Sequence, residues 1–253
     1  MITKKNYWFV VCWMVGSFWA STALAEGIKF TDGTWQQTVE AAKSAKKLIL
    51  IWAYKPGCGA CKQMADEVFP SDEVGAYFNN NFINFQLNTK KEEGIALFAK
   101  FEGVLNPATP TFYFIDPATE TLLLKQIGST DVEGFLDFGK TALNFPTLMS
   151  QYKAGKMSQE EKIDFWMKLQ GCNKAVNKDV QAYFSSLSDK DLVQYEIFKL
   201  MTYYALEPDS REFKYYITHT EAFKSELGIN LDWYYGIVYE EVYQKGVANK
   251  DKA

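Results

Sequence analysis

The sequence has a single histidine, His219, and a single arginine, Arg211, in 253 residues. The lone histidine excludes multi-histidine metal sites. It also leaves Ser-His-Asp or Cys-His catalysis no base other than His219 itself. With one arginine and a formal net charge of −4, the chain is a poor candidate for nucleic-acid binding, which needs clustered cations against phosphates. Cysteine is scarce as well. Cys12 lies in an apolar stretch near the start, and Cys58, Cys61 and Cys172 remain, too few for a disulfide-stapled scaffold. Beyond residue 20 no apolar run is long enough to span a bilayer. Repeats and long low-complexity segments are absent too.

The first residues carry their own signal. Lys4 and Lys5 precede "YWFVVCWMVGSFWA" (7–20), and "STALAE" follows, with small residues at Ala23 and Ala25. That order reads as a secretory signal peptide, 1–25, cleaved near Ala25. A retained membrane anchor is the alternative, but the apolar stretch is shorter than the roughly 20 residues of a span. The mature chain, 26–253, would be periplasmic or secreted. Its formal charge would be −6, since losing Lys4 and Lys5 removes two positive charges from −4 and no acid.

Residues 27–145 alternate between strand and helix patterns. "TWQQTVEAAKSAKK" (34–47) has Trp35, Val39 and Ala42 at helical spacing. "LILIWAY" (48–54) is a continuous apolar run, as in a central strand covered on both faces. A helix from Cys58 with Met64 and Val68 a turn apart, a Ser71-capped helix, a strand at 83–88 and a helix at 91–101 follow. "TFYFID" (111–116) and "TLLLKQI" (121–127) read as a hairpin, and 131–144 as a closing helix. From Pro146 onward the patterns are all helical. Ser158 to Glu161 form a capping box, and Ser188 to Asp191 resemble another acid-supported start. Pro208 stops the helix before it, and further helices are expected at about 210–226 and 231–245. Tyr195, Tyr203, Tyr204, Tyr215, Tyr216, Tyr234, Tyr235, Tyr239 and Tyr243 are expected to pack with their hydroxyls in water.

The chemistry concentrates in "YKPGCGAC" (54–61). Cys58 would sit where a helix begins and Cys61 one turn further in, on the same face. Free N–H groups and the helix dipole at such a start favour an anion. They can lower a thiol pKa from about 8.5 to between about 3.5 and 7.5, enriching the thiolate that attacks. Cys58 is then the exposed nucleophile and Cys61 the shielded sulfur that resolves the mixed disulfide. Two other readings compete. A structural zinc site would need Cys172 and His219 as further ligands, and a permanent staple would constrain little, because its loop is so short. Cys172, in "LQGCNKAV", is expected to be a half-buried thiol, and His219 an ordinary helix residue.

Strand, CxxC, helix and the distant "NPATPTFYFID" (106–116) together resemble the thioredoxin superfamily. "KLILIWAYKPGCGACKQMADEVF" (47–69) is similar to secreted bacterial thioredoxin-like proteins. The resemblance covers about half of the mature chain. It implies an α/β thioredoxin fold over 26–145, a central mixed sheet flanked by helices; the helical patterns after it are read as an all-α helical domain over 146–253. The resemblance also implies that Pro110 is a cis-proline and that the backbone of Thr109, before it, binds the substrate chain. The pattern departs from the family at Gly57 and Ala60, and Ile51 and Trp52 stand where the family has a buried acid. Lys55, Asp66 and Glu67 lie nearby in sequence, but nothing selects a base for Cys61 among them.

The function so implied is thiol–disulfide exchange on cysteines of other exported proteins, with Cys58 and Cys61 catalytic and Thr109 and Pro110 binding substrate. No cofactor or metal is expected. The partners are protein thiols or disulfides and a redox partner that restores the pair; no nucleic acid and no membrane span in the mature chain is expected. The alternative is a non-catalytic scaffold whose helical domain binds a protein.

Overall fold

The computed structural model describes residues 26–102, 108–170 and 172–228, together with 234, 236, 238 and 239. The signal segment 1–25, Cys12 within it, and most of the helix expected at 231–245 lie outside the described residues.

Helix α1 (Trp35–Ala45) begins at Thr34, whose hydroxyl accepts from the Gln37 N–H while the Gln37 side chain accepts from the Thr34 N–H. This reciprocal cap satisfies two of the donors that every helix start leaves over. Strand β1 (Leu48–Tyr54) follows, with residues 49 to 53 all buried. Its alternating side chains feed two layers. Ile49, Ile51 and Ala53 pack with Trp35, Val39, Leu97 and Tyr113. Leu50 and Trp52 pack with Met64, Phe69, Phe112 and Phe135. Both faces are covered, which explains why the run has no polar break.

Helix α2 (Gly59–Gln63) continues as a π-helical turn, Met64–Val68. Helix α3 (Asp72–Asn81), strand β2 (Phe82–Asn88) and helix α4 (Glu92–Glu102) come next. Ser71 holds the cap position of α3, but its hydroxyl makes no capping bond, contrary to expectation. Strands β3 (Thr111–Asp116) and β4 (Thr121–Ile127) form the expected hairpin. The sheet order is β2-β1-β3-β4, with β1 parallel to β2 and antiparallel to β3. In the hairpin turn, the Glu120 carboxylate receives Lys100 and the Trp35 indole N–H. The Lys100 bond first, and then that of Trp35, hold the Glu120 carboxyl below its ordinary range.

The largest departure from expectation is at residue 145. Helix α5 (Val132–Lys153) does not close at 144 but runs on through Pro146. Proline deprives the Ala142 carbonyl of its helical donor. The helix continues because Ala142 and Phe145 are buried on its inner face, with Phe145 against Phe165. The expected junction at 145/146 thus falls inside one helix. Beyond it come α6 (Gln159–Leu169), α7 (Lys174–Ser186), a 3-10 turn (Asp189–Val193), α8 (Tyr195–Tyr204), α9 (Arg211–Thr218) and α10 (Thr220–Leu227). Both capping boxes are formed, Ser158 with Glu161 and Ser188 with Asp191. The expected helix at 210–226 breaks in two at His219, whose exposed ring stacks on Tyr215 at 4.1 Å. One cluster of buried side chains runs unbroken from Leu50 and Phe135 through Phe145, Phe165 and Trp166 to Phe198 and Tyr216. No helix among the described residues is long and apolar enough to cross a membrane.

The tyrosines correct the sequence reading in part. Tyr195 and Tyr239 are exposed, but Tyr204, Tyr216 and Tyr234 are buried. The Tyr204 hydroxyl donates to the Trp166 carbonyl and the Tyr234 hydroxyl to the Ala205 carbonyl, each at 2.8 Å. A phenol inside a core needs such an acceptor; the Trp166 carbonyl takes the Tyr204 hydroxyl in addition to the Gln170 N–H. Burial raises the Tyr234 and Tyr203 phenols above their ordinary value. Burial, then the bond to Asp179, pushes Tyr152 up to about 12. A phenol harder to ionise when folded contributes stability below its unfolded pKa, about 10, and that contribution is lost as pH rises through the folded value. Thermal melts should therefore fall steeply above about pH 10; a midpoint unchanged from pH 9 to pH 11 would contradict this burial.

Candidate active site

The end of β1 and the start of α2 place the two sulfurs. Gly57, at φ +77, makes a turn that a side chain would strain, and the Cys58 N–H closes it on the Lys55 carbonyl at 3.3 Å. Cys58 is then the N-cap of α2, in extended conformation, and Cys61 lies one turn in. They form a disulfide with Cα atoms 5.2 Å apart. Burial separates them: Cys61 is 4% exposed, whereas Cys58 is only partly buried.

Two groups face the Cys58 sulfur. The Cys61 backbone N–H donates to it at 3.1 Å. The Thr109 carbonyl oxygen lies 3.3 Å away. A disulfide sulfur has no hydrogen to offer that oxygen, whereas a thiol there could donate to it. The amide contact suits a thiolate, which gains from a donor, so the two neighbours favour different protonation states of a reduced Cys58.

The Thr109–Pro110 peptide bond is cis. Its turn is held by the Thr111 hydroxyl donating to the Ala108 carbonyl at 2.7 Å and by the Gly128 N–H donating to the Pro110 carbonyl at 2.8 Å. On the far side, the Thr130 N–H points at the Met64 sulfur, 3.4 Å away, at the start of the π-helical turn. Cys58, Cys61, Thr109 and Pro110 thus converge at one end of the sheet, past the last residue of β1 and before the first of β3. The Thr109 hydroxyl and the Trp52 indole N–H are buried and have no hydrogen-bond partner among the described residues.

The other cysteine and the histidine singled out in the sequence contact different elements. Cys172 is partly buried, its sulfur 3.7 Å from the Leu123 carbonyl of β4. His219 sits between α9 and α10. Among the described residues no three histidine, cysteine or acidic side chains gather as metal ligands. Lys55, Asp66 and Glu67 are all exposed; Asp66 pairs with Lys62, and Glu67 accepts from Gln63. The buried Trp52 packs in the same layer as Cys61.

Residues 35–142 match the family model described as a thioredoxin-like domain. This segment is a thioredoxin-like domain. Solved structures resemble it as well. A candidate disulphide-isomerase from Bacteroides thetaiotaomicron is 28% identical, with 48% of this chain and 97% of that one covered and a TM-score of 0.42. A thioredoxin from Thermus thermophilus is 18% identical, over 46% and 88% of the two chains, at a TM-score of 0.41. The DsbH oxidoreductase is 18% identical, over 51% and 94%, at a TM-score of 0.39. No curated protein matched.

Sequence reasoning missed three residues around the thioredoxin-like domain's dithiol. Gly128 and Thr130 lie in "GST" (128–130), legible as a turn after a strand but not as a support of the cis-proline. Gln170, which accepts from the Ile127 N–H at 3.1 Å, had no signal at all, being one polar residue after a helix.

Proposed function

We propose that this chain is an exported thiol–disulfide oxidoreductase that exchanges disulfides with cysteines of other exported proteins through Cys58 and Cys61. The observation that carries the reading is the unequal exposure of a disulfide at a helix start, its outer sulfur 3.3 Å from the carbonyl before a cis-proline.

The chemistry balances as a two-electron exchange. A substrate thiolate attacks the Cys58 sulfur, the one it can reach, and the Cys61 sulfur leaves with the electron pair. A second substrate thiolate attacks the substrate sulfur of the mixed disulfide and expels Cys58. Substrate leaves as a disulfide, and two electrons and two protons stay on the Cys58–Cys61 pair. In reverse, the Cys58 thiolate attacks a substrate disulfide and Cys61 displaces the substrate. Thr109 and Pro110 are the residues assigned to hold the substrate backbone. Continuous turnover needs a partner protein, a dithiol reductant or a disulfide oxidant according to direction. The residues preceding Glu26 are read as the signal that takes the chain out of the cytoplasm.

One experiment addresses both parts. The chain produced with its own N-terminus is expected in the periplasmic fraction, beginning at Glu26, and should accelerate insulin reduction by dithiothreitol. Retention in the cytoplasm refutes export. A rate equal to that of dithiothreitol alone refutes the enzyme.

A further inference from the structure

Gln170 bonds the helical part to the strand that leads into the Gly128 turn. Gln170 follows α6 and has a left-handed backbone, φ 45°. Helix ends usually give that conformation to glycine, because a Cβ strains it. Here a long polar side chain occupies it, and its amide oxygen reaches the last residue of β4, accepting from the Ile127 N–H at 3.1 Å. β4 is an edge strand, so this N–H takes its partner from outside the sheet. The next residue, Gly128, turns at φ +91 and donates to the Pro110 carbonyl at 2.8 Å. The carbonyl before Pro110 is the one 3.3 Å from the Cys58 sulfur. The end of α6, the end of β4, the cis-proline turn and the outer sulfur are thus linked in one short series of contacts.

We infer that Gln170 is a positioning residue for disulfide exchange: it pins the end of β4 and, through Gly128, the Thr109–Pro110 turn on which a substrate chain lies, so the helical part is one wall of the redox site. The inference rests on the oxidoreductase reading above. Its physical basis is that Ile127 is 43% exposed, so its N–H would find water if Gln170 let go. Losing the bond therefore costs the fold little and the rigidity of the turn more. A small disulfide needs only access to the Cys58 sulfur. A protein substrate also needs the turn in its place.

The test compares Gln170→Met, similar in length but without the acceptor, with Gln170→Glu, which retains one. Gln170→Met should raise KM for insulin about two- to tenfold, the range of one ordinary hydrogen bond. Its kcat and its rate with the small disulfide dithionitrobenzoate should stay at the wild-type level. Amide hydrogen exchange at Ile127 and Gly128 should quicken. Gln170→Glu should restore both KM and exchange. A Gln170→Met variant with wild-type KM, one equally slowed with dithionitrobenzoate, or a Gln170→Glu variant as impaired as Gln170→Met overturns the inference while leaving the oxidoreductase intact. A wild type that does not reduce insulin overturns the oxidoreductase reading and the catalytic part with it; unchanged exchange at Ile127 and Gly128 overturns the mechanical part by itself.

Discussion

Cys58→Ser should bring disulfide exchange down to the uncatalysed rate, a loss of roughly a thousandfold or more, as expected when a covalent nucleophile is removed. Serine keeps the shape and the cap position of Cys58, so α2 should still form. Its hydroxyl is not ionised near neutral pH and cannot share a sulfur–sulfur bond. Cys61→Ser should behave differently. The reachable sulfur is still present, so attack on a substrate disulfide proceeds, but nothing displaces the product. Mixed disulfides should accumulate and appear on a non-reducing gel as adducts that dithiothreitol removes. The contrast follows from the burial difference between the two sulfurs. Adducts trapped by Cys58→Ser and not by Cys61→Ser would reverse the assignment of roles. Full insulin-reducing activity in both variants would remove the pair from the chemistry.

Phe135→Ala should be the most destabilising single change among these tests. Phe135 is fully buried, with ring centroids 4.4 Å from Phe78, 5.0 Å from Phe112 and 5.7 Å from Phe69. Removing such a ring forfeits its transfer free energy and leaves a cavity, about 3–5 kcal/mol together, out of a total stability of about 5–15 kcal/mol. Leu143→Ala is the control: Leu143 is on the same helix but 43% exposed, and its loss should stay within about 0.5 kcal/mol. Urea midpoints measure both. The same titration examines the relation of the two parts. Because buried contacts run unbroken from Phe135 to Phe165 and Phe198, circular dichroism and tryptophan fluorescence should report one coincident transition. Two separated transitions would mean that the helical part unfolds by itself.

Much of the candidate site could be read because its signals are local, the Thr109–Pro110 turn by resemblance and the rest from the residues themselves. The unbroken run from Leu48 to Tyr54, the cysteine spacing and the threonine–proline pair before "TFYFID" each occupy a few adjacent positions. A helix start also imposes its own electrostatics on whichever residue caps it. The cap at Ser71 shows where such reading fails. A serine in the right place is permitted to bond, and whether it does depends on the surrounding chain. The end of α5 failed for a related reason. Pro146 is a strong local stop, yet packing of Ala142 and Phe145 carried the helix past it.

By itself the sequence determined the alternation of strand and helix, the two covered faces of β1, the capping boxes at Ser158 and Ser188 and the pairing of Cys58 with Cys61 across one turn. Periodicity, capping and short-range spacing are properties of neighbouring residues, so a linear reading reaches them. Only the tertiary structure decided which tyrosines lie inside, that α5 joins the two parts without a break, and that Gln170 meets Ile127 from 43 residues away. Those outcomes depend on which surfaces meet once the chain has closed, and no short stretch of residues encodes that.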